Sequence, residues 1–272
     1  MKKIAKAPLP FLGQKRNHLK GFKKALTYFK DDATFVDVFG GSGFLSHVIK
    51  QEKPNAKVIW NDFDNYQERL DHIDETNILR GKIVEITKKY QQNERISQED
   101  KEKILQILRD FDGYKDYLTL GSGVFFQGNY AKNYDEFAKN PFFNKARAAK
   151  HYDKEGYLKG VIRVQKDGME LLEEYKDDGS VLVLDPPYLQ TLNAFYKKFF
   201  FMRDFLNVFE YLRAPFIFFS SEKSDIVPFL EFVRKHTNKS FFDNLKVEKA
   251  GHSLTVPNSR FPKIDYLFYC EK

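Results

Sequence analysis

The stretch that most limits the possible folds is Phe35-Val36-Asp37-Val38-Phe39 followed by Gly40-Gly41-Ser42-Gly43. Its composition and alternation predict a strand. The glycines end it and let main-chain N–H groups approach a ligand with no Cβ in the way. Phe44, Leu45, Val48 and Ile49 then follow a helical spacing, and Pro54-Asn55 closes that helix. Val58-Ile59-Trp60-Asn61-Asp62 reads as the next strand. A strand, glycine turn, helix and strand in this order form half of a nucleotide-binding crossover, which demands a parallel sheet in an α/β fold. The helix N-terminus favours a negative group. Asp62 falls 19 residues after Gly43, about the distance at which an acid reaches ribose hydroxyls.

The second constraint is Asp185-Pro186-Pro187-Tyr188, after the apolar run Val181-Leu182-Val183-Leu184. Four aliphatics after a turn signal predict a strand buried on both faces. The prolines stop it, because they lack the N–H that a ladder needs. An acid, two prolines and a tyrosine at the carboxyl end of a buried strand stand where ligands bind in open α/β sheets. The carboxylate and the Pro186 carbonyl are suited to accept two N–H groups from one amine, with the tyrosine ring as a stacking face.

These motifs resemble those of S-adenosylmethionine-dependent amino-methyltransferases. The turn departs from the dinucleotide G-x-G-x-x-G and reads D-x-F-x-G-x-G through Asp37, Phe39, Gly41 and Gly43. Asp185-Pro186-Pro187-Tyr188 is similar to the catalytic motif for adenine N6 or cytosine N4. Pro10-Phe11-Leu12-Gly13-Gln14-Lys15-Arg16 resembles the N-terminal motif of the Dam-like (D12, α-group) DNA adenine methyltransferases. The order cofactor motif, insertion, catalytic motif also matches that group. The resemblance implies a Rossmann-like methyltransferase sheet with helices on both faces, from residues 1–64 and 160–272. It implies an inserted, mostly helical target-recognition domain over 65–159. S-adenosyl-L-methionine would meet Phe11, Gly13, Lys15, Asp37, Phe39, Gly40, Gly41, Ser42, Gly43 and Asp185. The ribose would meet Asp62, with Asp64 second, and the adenine ring Phe63 and Asp167. Asp185, Pro186, Pro187 and Tyr188 would be catalytic.

Inside the insertion, Ser97-Gln98-Glu99-Asp100 resembles a capping sequence before the stripe Ile104, Leu105, Ile107, Leu108 and Phe111. Tyr117-Leu118-Thr119-Leu120 and Val124-Phe125-Phe126, around Gly121-Ser122-Gly123, predict a β-hairpin. Residues 126–166 interleave amides, aromatics and basic groups, a composition suited to DNA. Lys132, Lys145, Arg147, Arg260 and Lys263 are the candidate phosphate contacts. The net charge of +7 and the absence of any acid before Asp31 fit a polyanionic partner, double-stranded DNA. A cognate restriction endonuclease is a further candidate partner. Asn17 is expected to cap a first helix carrying Leu19, Phe22, Leu26 and Phe29.

The single cysteine, Cys270, excludes an internal disulfide and a cysteine metal cluster and fits a reducing cytoplasm. No signal-peptide core, membrane span or metal-ligand spacing is visible. The expected activity is methyl transfer to N6 of an adenine flipped from duplex DNA. The alternatives are a cytosine-N4 enzyme, an RNA or protein-glutamine methyltransferase, and a DNA-binding remnant without activity.

Overall fold

The computed structural model describes residues 6–11, 13, 15–126, 129–145, 151–187, 201–221, 226–236, 244–252 and 263–271. The chain divides into two compact units. One comprises Met1–Ala7, Leu12–Tyr66 and Gly156–Lys272; the other comprises Pro8–Phe11 and Gln67–Glu155.

The first unit is a seven-stranded sheet. Its strands are β1 (Thr34–Asp37), β2 (Lys57–Asn61), β3 (Ile162–Val164), β4 (Val181–Leu184), β5 (Phe216–Ser221), β6 (Lys246–His252) and β7 (Lys263–Cys270). They lie in the order β3-β2-β1-β4-β5-β7-β6. β3, β2, β1, β4 and β5 run parallel, with Val36 opposite both Ile59 and Leu182. β7 runs antiparallel to β5 and β6. This mixed arrangement fits a Rossmann-like methyltransferase sheet. β4 and β5 are buried at every position, as the uninterrupted apolar run in β4 predicts.

Side chains alternate across the sheet. Val36, Val38, Leu182, Leu184, Phe216 and Phe218 share a core with α8 (Gly168–Glu174), α9 (Met202–Glu210) and α10 (Ile226–His236). On the opposite face Phe35 meets Phe29, and Phe219 meets Phe22 of α1 (Leu19–Leu26). α2 (Phe44–Glu52) lies against β1 and β2 on that side. Helices therefore cover both faces. Asp37 shares the α1–α2 face with Phe35, which brings its carboxylate to Ser46 of α2.

Asn17 does not cap α1. Residues Arg16–His18 wind as a 3-10 turn, so the cap position falls on His18, which makes no side-chain cap bond.

The second unit is helical. α3 (Tyr66–Asp71) leads into α4 (Ile73–Thr87), α5 (Gln98–Asp110), α6 (Tyr117–Gly121) and α7 (Tyr134–Lys139). Leu79, Ile83, Ile104, Leu105 and Leu108 form its core with Phe125, Phe137 and Phe142. Ser97, Asp116 and Asn133 cap α5, α6 and α7 through their side chains.

The expected hairpin at 117–126 is absent: Tyr117–Gly121 is α6. The Asp116 carboxylate accepts the Thr119 N–H at 3.1 Å, which nucleates a helical turn. Phe125 folds back over Gly121, where an added Cβ would stand 2.7 Å from the ring. That close approach uses the glycine that suggested a hairpin turn.

Candidate active site

The carboxyl ends of β1, β2 and β4 are adjacent, and β1 is flanked by β2 and β4, whose connections depart in opposite directions. This is the switch point at which open α/β sheets bind ligands.

The glycine turn begins just beyond β1. The Gly43 N–H closes it on the Gly40 carbonyl at 2.7 Å. Gly43 has φ 74° and starts α2 from the left-handed region that favours glycine. A Cβ on Gly40 would stand 2.3 Å from the Trp60 indole. The turn thus lies directly on β2, and only glycine fits there.

Asp37 ends β1 and is fully buried. Ser46 Oγ donates to its Oδ2 at 2.7 Å, while Oδ1 finds no hydrogen-bond partner among the described residues. Burial pushes this carboxyl up to about 7; the Ser46 bond opposes the shift and the Asp185 charge adds to it.

Asp185 follows β4, on the strand beside β1. Its Oδ2 lies 2.6 Å from Lys15 Nζ, and its Oδ1 is buried without a hydrogen-bond partner among the described residues. Burial raises the Asp185 carboxyl, and the Lys15 ammonium pulls it back. Lys15 is itself only 8% exposed and also donates to the Gly13 carbonyl at 2.9 Å. Gly13, Lys15, Asp37 and Asp185, far apart in sequence, are thus assembled at one end of the sheet. Pro186 is buried and Pro187 half-buried; Tyr188 lies outside the described residues.

Asp62 is buried just beyond β2. Its Oδ1 accepts the Tyr66 N–H at 2.5 Å and its Oδ2 accepts Arg163 Nε at 2.8 Å. Asp64 and Phe63, next in the chain, are half-buried. Asp167 caps α8 by accepting the Met169 N–H at 2.9 Å. Phe39 lies beneath that helix start, 3.0 Å from where a Gly168 Cβ would be. Phe11 belongs to the helical unit.

Three contributors escaped the sequence reading. The Asn61 amide donates to the Val38 and Lys166 carbonyls and accepts the Lys166 N–H, tying together the loops after β1 and β3. Its only signal was an amide at the end of a buried strand. His18 is buried edge-on to Phe219, with Nε2 3.6 Å from Asp265 Oδ2. Neither residue stands in a recognisable motif.

Of the candidate phosphate contacts, Lys132 is exposed. Lys145 pairs with Asn93 and lies 4.3 Å above the Phe126 ring, which packs on Phe143. Arg147 and Arg260 lie outside the described residues, as does the Lys263 side chain; the Lys263 backbone pairs with His252. Among the described residues no group of three His, Cys, Asp or Glu is arranged to hold a metal, and no helix is long and apolar enough to cross a membrane.

A Rossmann-like sheet with a glycine turn after β1 and an Asp-Pro-Pro end on β4 defines an α/β methyltransferase. No family model matches the chain. A Haemophilus influenzae protein named "Putative methyltransferase" is 41% identical over 264 residues, covering 93% of this chain and 89% of that protein. The chain belongs to the same methyltransferase family.

Proposed function

We propose that this methyltransferase moves the methyl group of S-adenosylmethionine to N6 of an adenine extruded from duplex DNA. The observation that carries the reading is the pair of carboxylates at the ends of adjacent strands, each with one buried oxygen unpartnered among the described residues.

The site fits the cofactor. Gly40, Gly41 and Gly43 put main chain without side chains just beyond β1, and the buried, unpartnered Asp37 Oδ1 suits the amino-acid ammonium. Gly13 and Lys15 border the same end of the sheet. Asp62, with Asp64 second, takes the ribose; Phe39, Phe63 and Asp167 take the adenine, and Phe11 completes the N-terminal motif. When bound, the cofactor supplies an electrophilic methyl group on a sulfonium.

The chain's own residues handle the acceptor. Lys15 occupies Asp185 Oδ2, which leaves Oδ1 for the target amine. The Pro186 carbonyl takes the second N–H, and Tyr188 stacks on the base. As the nitrogen–carbon bond forms and the carbon–sulfur bond breaks, nitrogen gains positive charge, which the Asp185 carboxylate, paired with Lys15, stabilises until the amine gives up a proton. Holding the amine in line supplies much of the remaining acceleration. Extrusion of the base costs a few kcal/mol of stacking and pairing. The helical unit, with Lys132, Lys145 and Arg147, is the proposed target-recognition domain; Arg260 and Lys263 complete the phosphate contacts.

The decisive experiment incubates the protein with labelled cofactor and duplex DNA, then hydrolyses the product to nucleosides. N6-methyladenine is expected. N4-methylcytosine, or label only in RNA or protein, overturns the acceptor. Asp185→Ala should abolish transfer and leave cofactor binding within about threefold; a wild-type rate in that variant removes Asp185 from the mechanism.

A further inference from the structure

The residues Gly156 to Gly160 bring the chain back from the helical unit to the sheet. Gly156, Leu158 and Gly160 all have left-handed φ, at 73°, 57° and 78°. A leucine there carries a steric penalty that glycine does not. Such residues persist where their surroundings over-determine them, commonly at functional sites.

What holds Leu158 is the glycine turn. Its N–H donates to His47 Nδ1 at 3.1 Å. Its side chain covers Gly43, where an added Cβ would stand 2.8 Å from Leu158 Cδ2. Beside it, the buried Tyr157 donates its hydroxyl to the Ser42 carbonyl at 2.9 Å and lays its ring against His47, with centroids 4.7 Å apart. The Ser42–Gly43 peptide is therefore held at both ends: its C=O by Tyr157, its N–H by the Gly40 carbonyl. Burial lowers His47 to about 4, so Nδ1 remains an acceptor at neutral pH. Burial likewise holds the Tyr157 phenol well above its ordinary value, so it remains a donor.

We propose that Tyr157 and Leu158 are positioning residues for the cofactor. They fix the Ser42–Gly43 peptide and thereby aim the turn's other N–H groups at the amino-acid end of S-adenosylmethionine. The proposal rests on reading Gly40–Gly43 as the cofactor turn. It assigns cofactor affinity in part to a segment about 115 residues away in sequence.

The test is calorimetric titration of the full chain with S-adenosylhomocysteine, which needs no turnover. Tyr157→Phe keeps the ring and removes one buried hydrogen bond, so Kd should weaken about fivefold to tenfold. The kcat at saturating cofactor should stay within about twofold. Leu158→Gly relieves the left-handed strain but uncovers Gly43, so it should weaken Kd while folding normally; Leu158→Met, which keeps the cover, should restore it. A purely structural role lowers Tm and leaves Kd unchanged in Tyr157→Phe, and that result overturns the proposal. If Tyr157→Phe fails to fold, the Leu158→Gly and Leu158→Met pair decides in the same way. Failure of the wild-type chain to bind either S-adenosylmethionine or its product overturns the cofactor reading itself, with the proposal.

Discussion

Asp116 and Asp37 are both buried, and they differ in how fully the fold satisfies each carboxylate. In the helical unit, Asp116 Oδ2 accepts from Arg69 Nε at 3.0 Å and Thr119 Oγ1 at 2.5 Å, while Oδ1 accepts the Thr119 N–H. Both oxygens thus face donors. Arg69 also donates to the Pro10 carbonyl, so one ion pair pins the N-terminal segment into its unit. In the sheet unit, Asp37 accepts from Ser46 and keeps one buried oxygen open among the described residues, while Lys15 acts on it only as a nearby charge and pairs with Asp185. Its pKa rises, whereas that of Asp100, which Lys89, Tyr90 and Lys103 surround, falls. Folding alone accounts for Asp116 and Asp100. Asp37 and Asp185 each keep one buried oxygen that no described residue satisfies, a pattern that clusters at functional sites.

Breaking the structural pair should give the largest change in stability. Arg69→Leu leaves Asp116 buried without its cation and should cost roughly 3–5 kcal/mol, read by chemical denaturation. Adding Asp116→Leu should recover most of that loss. Asp37→Asn should do the reverse in the sheet unit, because the carboxylate is held there against its solvation. The folded chain keeps a proton on Asp37 up to about pH 7, whereas an ordinary aspartate releases it at 3.8. Its contribution to stability therefore falls as pH rises through that window. The Tm of Asp37→Asn relative to wild type should climb from pH 4 to pH 7 and then level; a flat difference would contradict the shift. His47 has the opposite sign. Folding lowers it from 6.5 to about 4, so its contribution is complete above 6.5 and is lost as pH falls towards 4. His47→Gln should therefore gain on wild type only on the acid side. The smallest effect belongs to Ser97→Ala, which removes the α5 cap and should cost about 1 kcal/mol with no change in methyl transfer.

Much of the sheet and one side of the site were legible in the sequence. β1, the glycine turn, β2 and β4 announce themselves because turn chemistry and buried aliphatic runs are local signals. α5 was equally plain from its cap and stripe. The pairing of Lys15 with Asp185 was not, since it depends on which strands become neighbours. Nor was Asn61, whose value lies in reaching two loops at once. The hairpin expected at 117–126 failed because Asp116 caps a helix there, and glycines around a tight turn look alike before a helix and between strands. Tyr157 and Leu158 carry no motif; their importance comes from the contact with Gly43 and Ser42.

The strand order has a further consequence for how the chain must assemble during synthesis. β1 pairs with β4 and β2 with β3, and the Gln67–Glu155 part of the helical unit is translated between β2 and β3. When β1, α2 and β2 first emerge, neither of their outer neighbours exists. The helical unit, built on nearby contacts such as α4 with α5, can fold first. The sheet then closes only when β3 and β4 arrive, and until they do, two apolar strand edges remain open to misassembly.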